Sequence, residues 1–288
     1  MSAVAAAEPT ETHSGALRRV LRSFGLWIGL LVVVAMIAMA LLAPWIAPYD
    51  PNEQNVVFAL QPPSAEYWLG TDFFGRDILS RIIWGARVSL YVGFVATLIG
   101  VAVGTAIGLA SGYLGGWLDR GVTAATDVLL SFPQLIMGLL LVAVLGPSLT
   151  NLIVAIAITA IPAFVRVARG STLALREREF VDACRAMGCS TPRIMVRHVL
   201  PNIMDEIVVL ASLWLATAIR TESTLAFIGL GVPPPTATWG GIVREGFDNL
   251  LDAPWLSLFP SLAILAVMIG LNLIGDGLRD ATDPRTAP

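Results

Sequence analysis

Asp127, Arg220 and Glu222 are ionisable residues inside apolar stretches of the chain. Charged groups in such surroundings are costly and usually face a bundle interior or a water-filled cavity. These three are therefore candidates to line or gate a polar path; the alternative is an intramembrane ion pair or a break in the helix. Residue type excludes most other chemistry. All eighteen basic residues are arginine. A Walker A phosphate loop needs a Gly-Lys-Ser/Thr step, because the lysine reaches the terminal phosphates, so the chain is not expected to hydrolyse ATP. Schiff-base chemistry is excluded by the same absence. Cys184 and Cys189 form no Cys-x-x-Cys pair, and no second pair exists to complete a zinc site. The histidines, His13 and His198, lie outside every apolar stretch. An intramembrane enzyme would need serine with lysine or histidine, or paired aspartates, inside the spans. No catalytic residue, cofactor site or metal site is expected.

The elements that must position these residues are membrane helices. Hydrophobic residues make up 56% of the chain and charged ones 14%, against roughly 25% charged in soluble domains. The net charge of -3 gives no reason to expect a nucleic-acid partner. A hydrocarbon core of ~30 Å needs ~20 apolar residues per helix. Six segments qualify: Phe24 to Ile46, Val88 to Gly112, Val122 to Leu145, Leu149 to Val167, Ile207 to Leu230 and Leu258 to Ile274. "RTEST" interrupts the fifth, placing Arg220 and Glu222 roughly 20 Å from its inner end at 1.5 Å per residue. Pro133 and Pro162 are expected to kink the third and fourth.

Arginines set the orientation. With the N-terminus inside, the inner segments hold thirteen, from Arg18 to Arg285, and the outer ones only Arg76, Arg81, Arg87 and Arg244. The expectation is an all-α polytopic membrane protein with six transmembrane helices and both termini cytoplasmic. Its first apolar run is too long for a signal peptide and lacks a small-x-small cleavage site. Residues 1–23 form a tail without apolar periodicity, expected to be disordered, and 24–287 the membrane domain.

Two outer loops have character. Residues 47–87 run into "WLGTDFFGRDILSRIIWGARVSL", which begins at Trp68. Here Phe74, Ile78, Ile82 and Trp84 alternate with Arg76, Asp77 and Arg81. The pattern fits a short amphipathic helix at the interface, anchored by Trp68 and Trp84, or else a lid packed on the bundle. Residues 231–257 contain three consecutive prolines and a Gly-Gly step, stiff at one end and tightly turned at the other. They read as a docking surface or a structured cap.

The longest inner segment, within 168–203, is polar but patterned. Phe180, Ala183, Cys184 and Met187 recur at helical spacing on one face, with Glu177, Arg178, Asp182 and Arg185 elsewhere. Gly188 sits where a helix C-terminus favours a left-handed residue. Ser190 and Thr191 offer caps, and Pro192 suits a first helical turn. A second short helix would stop before Pro201. The result is helix, glycine turn, helix, with a narrow apolar contact face at Ala183, Cys184 and Met187.

This hairpin resembles the cytoplasmic signature of permease subunits of bacterial ABC importers: Glu-Ala-Ala, three residues, Gly, nine residues, Ile, one residue, Leu-Pro. Here it stands as Asp182-Ala183-Cys184, then Gly188, then His198-Val199-Leu200-Pro201. Asp for Glu and Cys for Ala preserve charge and small size. His198 replaces Ile and is similar to the peptide/nickel branch. The segments "APWIAPYDPN", "GGWLDR", "LGPSLTN", "ARGSTLALREREFVDACRAMG", "FIGLGVPPPTATWG" and "GDGLRDATDPR" resemble the C-type permease of dipeptide, oligopeptide and nickel importers. The resemblance implies a type I importer permease fold in the bacterial cytoplasmic membrane. It also implies a second related permease, two cytoplasmic ATPases carrying ATP and Mg, and an extracytoplasmic solute-binding protein. The cargo it implies is peptides, with nickel complexes or glutathione as alternatives. A stand-alone channel would leave the hairpin unexplained.

Overall fold

The computed structural model describes residues 24–282. The expected tail 1–23 and Arg285 lie outside that range. Among the described residues the fold is helical, with one isolated β-bridge between Thr71 and Asp77. Long helices are α1 (Phe24–Leu41), α3 (Ile78–Leu114), α6 (Leu149–Arg176), α9 (Leu200–Ile228) and α11 (Trp255–Thr282). Shorter ones are α2 (Ala43–Ile46), α4 (Gly116–Ser131), α5 (Gln134–Leu145), α7 (Glu179–Ala186), α8 (Thr191–Ile194) and α10 (Trp239–Phe247). Among the described residues five helices are long and apolar enough to cross a membrane, or six spans if the bent pair α4–α5 counts as one.

The sharp bend has a local cause. Pro133 has no N–H to donate and restricts the residue before it to extended backbone. Phe132 accordingly sits at φ -85°, ψ 134°, and the two helices meet at 93°. The expected kink is thus a break in the span. Pro162, by contrast, is contained within the single helix α6.

α3 and α6 form the most extensive helix pair. Gly100, Gly104, Gly108 and Gly112 stand at every fourth position of α3, so they share one stripe. Along that stripe α6 passes close enough that a Cβ on Gly104 would lie 2.8 Å from the Ile161 carbonyl oxygen. Lipid tails compete equally for apolar side chains, so tight backbone approach through small residues is how membrane helices hold together. Gly29 does the same for α1 on α11, where its Cβ would stand 2.5 Å from the Gly270 carbonyl oxygen.

Residues 47–77 pack against α10 and the start of α11. Helix α3 begins at Ile78, capped by the Asp77 carboxylate, which accepts from Ser80 N at 2.8 Å and Ser80 Oγ at 2.6 Å. The expected amphipathic helix is therefore the first turns of a 37-residue span. Arg76 and Arg81 are buried with Asp72, and Glu245 of α10 closes the cluster. Trp239 of the same region is fully buried and donates Nε1 to the Ile82 carbonyl at 3.0 Å. This arrangement is the packed lid: each arginine finds a carboxylate, which lets charges leave water. Trp68 remains exposed, while Trp84 is half-buried under the Arg87 guanidinium, 5.0 Å from its ring centroid.

Candidate functional site

At the opposite end of α3 from the ion cluster, the polar segment after α6 folds back on the bundle. Helix α7 covers eight residues, Gly188 turns the chain at φ +78°, and α8 starts with Pro192 in its first turn. A left-handed residue at this point costs other residue types roughly 1–2 kcal/mol, which is why glycine stands there. The second helix does not stop before Pro201. Residues Met195–Val199 take a π turn and run on into α9, with Pro201 in its first turn. Proline lacks the N–H that an α-helix would need at that position, and a wider turn absorbs the missing bond.

Burial separates two faces of α7. Val181 and Cys184 turn inward, joining Ile194, Val199, Ile203 and Ile207 in one core with Leu109 and Tyr113 of α3 and Phe164 of α6. Phe180 and Met187 are exposed, Met187 at 74%, and Ala183 is exposed beside them. Cys184 therefore does not belong to the outward contact face on which its spacing had placed it; it is part of what fastens the hairpin to the bundle. The outward apolar face is Phe180, Ala183 and Met187. Asp182 lies exposed and pairs with Arg185 at 2.8 Å. His198 is half-buried in the π turn, where its carbonyl accepts from Asn202 Nδ2 at 2.6 Å. Leu200 is half-buried and Pro201 exposed.

Tyr113 is the joint between hairpin and bundle. Its backbone carbonyl accepts from Arg176 Nη1 at 3.1 Å, and its hydroxyl accepts from Arg185 Nε at 3.4 Å. The hydroxyl contact raises the Arg185 guanidinium above its ordinary value. Close by, Arg169 of α6 grips Asp119 of α4 with two hydrogen bonds of 2.5 and 2.7 Å, and Ser111 Oγ donates to the same carboxylate at 2.7 Å. None of these anchors was singled out in the sequence. The spacing from Arg169 to Arg176, two helical turns on one face of α6, was the available signal.

The three path candidates do not come together. Asp127 on α4 pairs with Arg166 of α6 at 2.8 Å, both well exposed. Arg220 is exposed and lines a cavity of about 240 Å³ with Ser223, Phe227, Val243 and Ile264. Glu222 is fully buried; Ser223 Oγ donates to its Oε2 at 3.2 Å, and its Oε1 has no hydrogen-bond partner among the described residues. Arg220 and Glu222 form no ion pair. Sequence reasoning also passed over Gln134, which follows the Pro133 break and donates to Thr221 Oγ1 at 3.4 Å. A small cavity of about 80 Å³ lies at that break, between Gln134, Pro162 and Trp214.

A bundle of five or six apolar spans among the described residues, with a hairpin fastened to one end and an ion-locked cap at the other, is the architecture of a polytopic membrane protein. The comparisons make the class specific. Residues 104–288 match the binding-protein-dependent transport system inner membrane component family, and residues 14–63 match the N-terminal transmembrane domain of oligopeptide transport permease C. A dipeptide transport system permease protein of Alkalihalophilus pseudofirmus is 43% identical over 90% of this chain and 85% of its own. A glutathione transport system permease protein of Shigella flexneri serotype 5b is 45% identical over 88% of this chain and 84% of its own. Among solved structures, a MetNI methionine ABC transporter in inward-facing conformations shares the fold. It is 20% identical, has a TM-score of 0.58, and covers 70% of this chain and 97% of that one. The chain belongs to the family of binding-protein-dependent transport system inner membrane components. It is a multi-pass inner-membrane permease subunit of an ABC importer, and ATP hydrolysis belongs to separate subunits of such transporters.

Proposed function

We propose that this permease moves peptides inward and is driven through the 179–201 hairpin. The observation that carries the coupling reading is the two-faced helix α7. Val181 and Cys184 bind it to the bundle, while Phe180, Ala183 and Met187 offer a small apolar face outward. Such a patch is too small to form a core, and it suits a groove on a separate ATPase. Two ATPases carrying ATP and Mg would then sit on the hairpin side, which the arginine distribution assigns to the cytoplasm. Both termini follow to that side. A second related permease would complete the path, and a solute-binding protein would deliver cargo at the end formed by residues 47–77 and 231–255. Asp127, Arg220 and Glu222 remain candidates for that path.

Peptide cargo is supported by relatives named as dipeptide and glutathione permeases; glutathione is the second reading for the same reason. The coupling test uses the reconstituted transporter. Gly188→Pro fixes φ near -65° where the turn needs a positive value, so uptake and cargo-stimulated ATP hydrolysis should both fall to background. Met187→Arg should lower both without changing the amount of permease in the membrane. Full activity in the two variants would refute coupling through this face. The purified chain alone should hydrolyse no ATP.

A further inference from the structure

A cleft of about 400 Å³ runs along the outside of the bundle, between α1, α3, α9 and α11. Ile37 and Leu41 of α1 form one wall, and Ile219 and Val267 form the floor. The lining is apolar except at one end, where Arg87 and Tyr91 stand one turn apart on α3. Four-residue spacing puts both on the same stripe. Both are exposed, and neither side chain hydrogen-bonds or ion-pairs with another of the described residues. The Arg87 guanidinium lies over the Trp84 ring, 5.0 Å from its centroid, a contact that uses the face of the group and not its N–H donors.

Depth identifies what those donors meet. The apolar run of α1 and α2 ends at Ile46, and Asp50 and Asn52 follow, so the Leu41 end of α1 lies near one face of a hydrocarbon core of ~30 Å. Leu41 is the last residue of α1 and shares the cleft with Arg87. Arg87 therefore sits level with the boundary, where phosphates of phospholipids lie and where tryptophan and arginine anchor helices. Below it the cleft descends along apolar side chains toward Val33, the middle of α1. Its volume falls in the ~300–1,000 Å³ range of sites that hold a small ligand. A flexible apolar chain with an anion at one end matches this shape and charge.

We propose that the cleft binds a membrane phospholipid, one acyl chain lying between α1 and α3 and the phosphate accepting hydrogen bonds from Arg87 and Tyr91. The bound lipid fills a space that α1 leaves against the other three helices. The inference rests on the membrane location alone and is independent of cargo or coupling.

The test is native mass spectrometry of the full-length protein extracted in mild detergent, alone and within its assembled transporter. The wild type should retain one phospholipid. Arg87→Leu removes the charge at an exposed position and should cut the retained fraction about tenfold, the scale of a lost charge-assisted hydrogen bond. Ile37→Trp should remove the lipid by filling the cleft with Arg87 intact; if that variant does not fold, Arg87→Leu decides alone. Arg244→Leu, away from the cleft, should retain the lipid. Millimolar inorganic phosphate should not displace it. Unchanged retention in Arg87→Leu, displacement by phosphate, or a cleft holding detergent only would overturn the proposal. So would loss of the lipid on assembly together with cross-linking of Ile37→Cys to the second permease, which would make the cleft a protein interface.

Discussion

Replacing single glycines of the α3 ladder by alanine tests the packing seam most directly. A Cβ at Gly104 would lie 2.6 Å from Phe164 Cβ and 2.8 Å from the Ile161 carbonyl oxygen. At Gly108 it would lie 2.5 Å from the Val165 carbonyl oxygen and 2.8 Å from Ala168 Cβ. Ordinary contact begins near 3.4 Å, so α6 must retreat by roughly 0.6–0.9 Å, and backbone atoms cannot rotate away as a flexible side chain can. A radial gap of that size forfeits about a quarter to a half of each dispersion contact nearby, and overpacking of this kind costs about 1–3 kcal/mol. Alanine returns up to about 1 kcal/mol of helix propensity. The net expectation is a loss of about 1–2 kcal/mol for Gly104→Ala or Gly108→Ala. The double variant should lose less than the sum, because the first alanine already opens the seam. Gly121→Ala is the control: it is helical and nothing lies within 4 Å of its added Cβ. Thermal unfolding of the purified full-length protein, followed by retained monodisperse fraction, gives the comparison. If Gly104→Ala unfolds at or above the temperature of Gly121→Ala, the close approach of α3 and α6 is wrong.

Two further outcomes follow from the ion pairs. Glu245→Ala leaves Arg76 and Arg81 buried with Asp72 as the one carboxylate they still share. Removing one partner of a buried cluster costs about 3–5 kcal/mol, and the partial exposure of Glu245, 32%, places the expected loss near the lower value; a thermal midpoint equal to wild type would refute the lock. Arg166→Gln and Arg169→Gln should differ. The Arg166–Asp127 pair is more than half exposed on both sides and is worth about 0–1 kcal/mol. Arg169 holds Asp119 through two bonds at 30% and 18% exposure, so its removal should lower the midpoint clearly more. Equal effects would contradict that ranking.

Much of the fold was legible because hydrophobic length is a strong signal. Each of the six expected spans corresponds to a helix or a bent pair. Their ends were less legible, since apolar content marks where lipid is, while helix ends are set by caps and prolines. Helix α3 starts ten residues before the expected Val88 because Asp77 caps it and the buried ion cluster shelters its first turns. The alternation of Ile78 and Ile82 with Arg76 and Arg81 suited an interfacial helix equally well, because a sequence does not show whether the polar side meets water or a carboxylate from residue 245. The four-residue glycine repeat of α3 was in plain view and was the missed signal for the most extensive helix contact.

Helix, glycine turn and helix were legible in the hairpin because Gly188 and Pro192 act locally, while the second helix runs on through Pro201 instead of stopping before it. Its two faces were not separable by periodicity. Phe180, Ala183, Cys184 and Met187 span a wide arc, and only contact with Leu109, Tyr113 and Phe164 decides that Cys184 turns inward. The intramembrane charges allow a stricter argument. Arg220 and Glu222 are two residues apart, and residues at i and i+2 on an α-helix point to nearly opposite sides. They could pair only if the helix broke between them, and α9 runs unbroken through both. Helical geometry therefore assigns them to different surroundings: Arg220 to an open cavity beside α10 and α11, and Glu222 to a buried site with one oxygen unpartnered. A gate that used both would have to act on two faces of α9 at once. A substitution at Arg220 should then leave the Glu222 site unchanged.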